Sequence, residues 1–372
     1  MGDFVFNDVV RSKKGEYFLK TVNSNYQSQI ISSFFRNGTL IASHHQDYEP
    51  KISDETLLTR TREFHEQKKS EIQTLLKLAE KLNDSENAET KSLLGQAFLK
   101  KGLYEEAVNE FEEAIILDPR VSGLYNNLGA AYTAVGRSDE AIAVLEQAIN
   151  LKPERADYHN NLGAAYLKKE HCKKAVEHFQ RALEINPYYA EACFNLALGL
   201  VLNGVTKEDF HLSVNGYQRV LELLEKATKI NPNYRNEHIT RGEEFLRRNE
   251  YEKAFEAFVQ AQRTIPKPAD MGFVIDFYLQ VLYNTKKLNS AAIWRHIRQL
   301  QDIIDKHPNY ADLYNHLGVA YVIMSKFVNN KAIQQFERAQ QINPAFDRAK
   351  RNQKLAEYDH KGIQLLFDAI LK

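Results

Sequence analysis

Residues 122–155 read SGLYNNLGAAYTAVGRSDEAIAVLEQAINLKPER. Two apolar-periodic runs, LYNNLGAAYTAV and AIAVLEQAINL, flank Gly136-Arg137-Ser138-Asp139, a group of turn formers. Leu128, Tyr132, Ile142, Leu145, Ile149 and Leu151 recur at helical spacing, which predicts two amphipathic helices. Gly129 and Ala148 are small where such helices must approach, and Pro153 ends the second. One helix pair cannot bury its own apolar face, so the stretch demands neighbours.

The neighbours are in the chain. Pro119, Pro153 and Pro187 recur at 34-residue intervals. Leu94-Gly95, Leu128-Gly129 and Leu162-Gly163 share one register, followed by Phe98, Tyr132 and Tyr166. Ala107, Ala141 and Ala175 open the second helix of each segment, and Ala114, Ala148 and Ala182 lie near its end. A helix pair of this period resembles the tetratricopeptide repeat family over 88–121, 122–155 and 156–189. The resemblance implies a mainly α, right-handed α-solenoid of helix-turn-helix repeats. It names a scaffold, and a scaffold does not fix a function.

Outward from this centre the period loosens. Repeat four, 190–234, carries an excess around Thr206–Gly216. Repeat five, 235–268, returns to register with Gly242, Phe245, Ala254 and Phe258. Residues 269–310 form a degenerate sixth repeat with helices expected around Phe273–Tyr283 and Asn289–Lys306. Residues 311–346 form a seventh, with Leu317-Gly318, Tyr321, Ala332 and Phe336. The terminal 347–372 reads as a polar-faced capping helix, which solenoid ends need. Residues 51–87 read as a linking or capping helix whose apolar stripe is dense only after Ile72. Residues 1–50 differ: β-branched and aromatic runs broken by Gly15 and Asn37-Gly38 predict a small antiparallel β module. Its surest hairpin is Gln27–Arg36 with Thr39–His45.

Composition narrows the function classes. Acidic and basic residues balance at 49 each, which argues against general nucleic-acid binding. Two cysteines, Cys172 and Cys193, are too few for a disulfide framework. No run approaches the roughly 20 apolar residues of a membrane span, and no signal-peptide stretch is visible near Met1. Phe6 stands where an acylation motif wants Ser or Thr. These features predict a cytoplasmic protein with no membrane insertion.

No phosphate-cradling glycine loop, HExxH or GxSxG is present, so no enzyme activity and no cofactor are expected. His171, Cys172, His178 and Cys193 are the one metal-like grouping, and their spacing reads as structural rather than as a zinc site. His44-His45 ends a strand and points to opposite faces.

The asparagines ask for a reason. Asn127, Asn161 and Asn195 occupy one repeat position, although Asn is a poor helix former. In the family this chain resembles, that position faces the concave groove. The pattern is similar to the asparagine ladder of the O-linked N-acetylglucosamine transferase superhelix, which binds extended peptide. Amides both donate and accept, so they suit a main chain of any sequence. The rival reading is that NNLG carries Asn for contacts within its own helices. Asn126, Asn160 and Lys168 are expected to line the same groove. Leu93, Thr240 and His316 break the ladder in repeats one, five and seven. Arg241, near Arg247, is a secondary candidate for a partner carboxylate, against pairing with Glu222, Glu225 or Glu244.

The expected function is a non-enzymatic scaffold or adaptor for protein or peptide partners. The alternatives are a structural protein that self-assembles, as a homo-oligomer, through the β module or by end-to-end stacking, and a regulatory subunit of an enzyme complex.

Overall fold

Asn37 and Gly38 both take positive φ, 51° and 78°, the two-residue turn that matches strand twist. It joins β3 (Gln29–Arg36) to β4 (Thr39–Asp47). With β1 (Val5–Ser12) and β2 (Gly15–Ser24) they make one antiparallel sheet in the order β1-β2-β3-β4. This is a computed structural model, and it describes residues 3–12, 15–264, 274, 277, 281, 289–306, 311–342 and 347–371. The chain divides into two units, Met1–Pro268 and Ala269–Lys372.

One sheet face is buried through Tyr17, Leu19 and Thr21 of β2 and Ile30, Ser32 and Phe34 of β3. Helix α1 (Asp54–Lys81), capped by the Ser53 hydroxyl, covers it. Leu57 and Phe64 join Ile30 and Tyr48 in one cluster. The thin stripe in the first half of α1 is thereby explained: those few side chains meet a sheet, while Ile72, Leu75, Leu76 and Ala79 are buried further along.

The sheet also docks on the first repeat. The Tyr17 hydroxyl donates to Glu106 Oε1 at 2.7 Å, and Arg36 Nη1 donates to the same oxygen at 2.8 Å. Burial and that carboxylate push the Tyr17 phenol well above its ordinary pKa. A Cβ on Gly102, whose φ is +73°, would sit 2.9 Å from Ala42 Cβ. Glu106→Ala is expected to cost about 2 kcal/mol, because it strips two donors of a buried acceptor. Chemical denaturation of the variant checks this, and an unchanged midpoint would mean the sheet does not depend on that contact.

The regular repeats pair α2 (Ala88–Lys100) with α3 (Tyr104–Leu117), α4 (Ser122–Val135) with α5 (Ser138–Leu151), and α6 (Ala156–Lys168) with α7 (Cys172–Ile185). The Leu-Gly register has a direct cause. A Cβ at Gly95, Gly129 or Gly163 would lie within 2.7 Å of Phe111, Leu145 or Phe179 on the paired helix. Each turn uses one left-handed residue: Gly102, Gly136 and, without a glycine, Glu170 at φ 59°.

The excess in repeat four is a longer helix and a structured loop. Helix α8 (Ala190–Thr206) runs on, followed by the short α9 (Phe210–Ser213) and α10 (Gly216–Ile230). Asn203 holds the loop by exchanging hydrogen bonds with the Asp209 backbone at 2.8 and 2.9 Å. The Glu208 carboxylate accepts from the Cys172 and Lys173 amides at the start of α7, where negative charge is favoured.

Repeat five comprises α11 (Glu237–Arg247) and α12 (Tyr251–Thr264). Here the packing order changes. Along the earlier repeats each second helix packs on the next first helix: α3 on α4, α5 on α6, α7 on α8. At repeat five α10 and α11 touch only slightly, and α12 packs on α8 instead. Phe194 meets Phe258 edge-on at 6.4 Å, and Tyr251 lies against Gly204. Every residue from Ala192 to Asn203 is consequently buried.

In the second unit, α13 (Ser290–Lys306), α14 (Ala311–Ile342) and α15 (Asp347–Leu371) are described. Ile293, Ile297, Leu300, Leu313, Ala320 and Ile323 form its core with Phe277. The helix expected around Phe273–Tyr283 lies largely outside the described residues. Two expectations need correction. Residues 311–342 make one helix where a helix pair was expected: Ser325–Asn330 contains neither Gly nor Pro, so nothing in the chain interrupts the backbone ladder. The terminal helix is not polar-faced throughout, since Leu355, Tyr358 and Leu365 are exposed on it beside Lys354, Glu357, Asp359 and Lys361. Among the described residues no helix is long and apolar enough to cross a membrane.

Candidate functional site

First helices touch one another along the first unit: α2 meets α4, α4 meets α6, and α6 meets α8. No pair of second helices does so to a like extent among the described residues. The row therefore curves with its first helices on the inner side. The asparagines sit on these helices.

Their placement revises the expected groove. Asn126, Asn160 and Asn195 are buried, at 8%, 1% and 2% exposure. Asn161 Nδ2 donates to Asn126 Oδ1 at 2.8 Å, and Asn195 Nδ2 donates to Asn160 Oδ1 at 2.9 Å. These amides clasp α4 to α6 and α6 to α8, because a buried amide must find partners and the neighbouring repeat supplies them. Gln262 on α12 donates to Asn195 Oδ1 at 3.1 Å and closes the series. Nothing local in the chain announced Gln262, which lies 67 positions from its acceptor.

Asn127 and Asn161 are half-buried, and Lys168 is exposed at the end of α6. The Asn127 amide has no side-chain hydrogen bond among the described residues, and the carbonyl oxygen of Asn161 remains unengaged there. Adjacent asparagines on a helix point about 100° apart: Asn126 and Asn160 accept from the following repeat, and Asn161 and Asn195 reach back to the one before.

The secondary candidates behave differently. Arg241 is exposed and lies over the Phe245 ring at 5.5 Å. It forms no ion pair with Glu222, Glu225 or Glu244 among the described residues. Arg247 is exposed too, and its charge opposes the burial that raises the pKa of Glu243.

The metal-like grouping is dispersed. His178 pairs with His159 across 3.3 Å between Nδ1 atoms and stacks on Tyr166. Burial lowers the pKa of both histidines, so the pair is neutral near pH 7. Cys172 and Cys193 are buried and unbridged, and burial pushes the Cys172 thiol up to about 11. Asp8, His65 and Glu66 are the one group of three metal-capable side chains among the described residues. Lys69 Nζ already stands 2.8 Å from Asp8 and 3.6 Å from Glu66, where a cation would sit. That ammonium and His65 hold the Asp8 carboxyl below its usual range.

Residues 120–187 match a family model described as tetratricopeptide repeat, and residues 95–136 match one described as TPR repeat. The matched segment, 95–187, thus carries tetratricopeptide repeats. No curated protein matches it. Similar solved structures include YrrB, titled a TPR protein with an unusual peptide-binding site, at 21% identity and TM-score 0.35, covering 54% of this chain and 97% of that one. MamA from Desulfovibrio magneticus RS-1 gives 20% identity and TM-score 0.36, over 48% and 94%. The first TPR of Spaghetti (RPAP3) bound to an HSP90 peptide gives 26% and 0.29, over 30% and 90%.

Proposed function

We infer that this chain is a non-enzymatic adaptor holding an extended segment of a protein partner along the inner, first-helix side of repeats two and three. Asn127, Asn161 and Lys168 are the contacts, and Asn126, Asn160 and Asn195 support them by fixing the spacing of the helices beneath. The observation that carries the reading is Asn127, a half-buried helical amide without a side-chain hydrogen bond among the described residues. An amide offers a donor and an acceptor together, which is what an extended main chain needs. Buried, unbridged cysteines fit a reducing cytoplasm.

The test is selection from a displayed random-peptide library on the full chain, followed by calorimetry. Peptides selected on the wild type are expected to bind Asn127→Ala/Asn161→Ala about thirtyfold more weakly, at roughly 1 kcal/mol for each neutral hydrogen bond. Lys168→Glu should change the preferred peptide charge. Selected peptides that bind the double variant as tightly as wild type would move the site off this face.

A further inference from the structure

Successive residues of a strand face opposite sides, so the sheet has an outer face set by register. Val9 pairs with Phe18, Phe18 with Phe35, and Phe35 with Leu40. These four apolar side chains form one row crossing all four strands, on the side away from α1. Val9 is 43% exposed, Phe18 41% and Leu40 54%. The Phe18 and Phe35 rings lie 6.1 Å apart. Around them a shallow cavity of about 620 Å³ is lined also by Glu16, Lys20, Asn37 and Gly38. Scattered surface apolar residues are ordinary, but a continuous row with an aromatic pair is a contact surface.

We propose that this outer face is where two copies of the chain stack, sheet on sheet, about a two-fold axis running along the Val9–Phe18–Phe35–Leu40 row.

The charges select a second copy as the occupant. Glu16 and Lys20 flank Phe18 on the same face, two residues to either side. A two-fold axis along the row reverses the strands of the partner sheet. Phe18 then meets Phe18, Glu16 meets the other copy's Lys20, and Lys20 meets the other copy's Glu16. On β1 the same operation brings Asn7 against Arg11. An in-plane axis running along β2 instead would set Glu16 on Glu16 and Lys20 on Lys20. The surface is therefore complementary to itself in one orientation and repulsive in the other, as an isologous contact requires.

The size suits. Four strands about 4.8 Å apart and about eight residues long at 3.3 Å each give roughly 500 Å² in plan, more with side-chain relief. Over the two partners that is about 1,000 Å², the lower bound for a specific contact and the range of a weak, reversible one rather than of a standard interface of about 800 Å² per partner. The sheet edges are poorer candidates. Edge strand β4 carries His44, His45, Gln46 and Asp47, and a bulge interrupts its pairing at Phe34/Phe35. Polar side chains and bulges are how edges avoid pairing.

Sedimentation velocity of the full chain against concentration tests the proposal. The wild type is expected to dimerise at micromolar concentration. Phe18→Asp, a change at an exposed position, should raise the dissociation constant about a hundredfold or more by placing two charges on the axis. Within each sheet Glu16 pairs with Arg11 at 2.7 Å. Lys20→Glu should weaken the dimer, and Arg11→Glu/Glu16→Lys/Lys20→Glu should restore it, since that swap keeps both the pair within the sheet and the pairs between copies opposite in sign. Phe18→Cys should form an intermolecular disulfide on mild oxidation, the native cysteines being buried. A wild type that stays monomeric at high micromolar concentration overturns the proposal. So does a dimer that persists in a folded Phe18→Asp chain, or a charge swap that fails to restore association. If Phe18→Asp does not fold, the charge variants decide alone.

Discussion

Replacing Phe179 by Ala is expected to lower the unfolding free energy of the first unit by about 4 kcal/mol, the middle of the range for a buried Phe. Phe179 is 0% exposed, and its ring lies where the Cβ of Gly163 would be, at 2.6 Å. Gly199 flanks the same ring at 3.8 Å. The cost depends on whether a cavity can collapse, and glycine walls have no side chain to move inward. Two neighbouring repeats lose a contact together, because the ring lies between α6 and α8. The measurement is a urea midpoint followed by far-UV circular dichroism. As a comparison, Ile116→Ala at an 80% exposed site on α3 should shift it little. Equal midpoints for the two variants would show that the repeat register around Gly163 is misassigned.

The second large effect is one of pH. His296 is 3% exposed, and its ring lies parallel to that of Phe277 with centroids 3.8 Å apart. Burial, helped by the charge of His316, lowers its pKa from 6.5 to about 4. In the unfolded chain the imidazole takes a proton at its ordinary value, whereas in the folded chain it resists one. Between those two values the unfolded state binds more protons, so stability falls as pH drops. The loss begins below about pH 6.5 and reaches about 3 kcal/mol near pH 4. His296→Phe keeps the stacking and removes the proton site. Its stability relative to wild type should therefore rise by about that amount over the same interval, the carboxylates common to both chains cancelling. A difference that stays flat with pH would show that the imidazole is protonated in the folded state at no cost.

The regular repeats were legible because each conserved its steric problem within 34 residues. Gly95 against Phe111, Gly129 against Leu145 and Gly163 against Phe179 repeat one close approach, and a sequence displays that as Leu-Gly. The hairpin at Asn37-Gly38 was legible for a similar reason, since both positions need positive φ. The asparagines were only half legible. Their periodicity was visible, but Asn126 and Asn127 differ by one step of helical rotation, and only packing decides which amide faces the next repeat. The pairing of α12 with α8 left no local trace, because Gln262 and Tyr251 meet residues far away in the chain. The continuous helix over 311–342 misled through the same economy: Leu317-Gly318 and Tyr321 match the motif, while the turn that should follow has no residue to make it.

The closure of α8 by α12 has a consequence during synthesis. A ribosome delivers the apolar run Ala192–Asn203 well before it delivers Thr264. At about 5–20 residues per second, the bare side of α8 waits several seconds for its cover. During that interval the nascent chain presents Phe194, Asn195 and Gly204, which Phe258, Gln262 and Tyr251 later cover, to the surrounding solution. Chaperone occupancy on ribosome-bound chains should accordingly rise as α8 emerges and fall once α12 has cleared the exit tunnel.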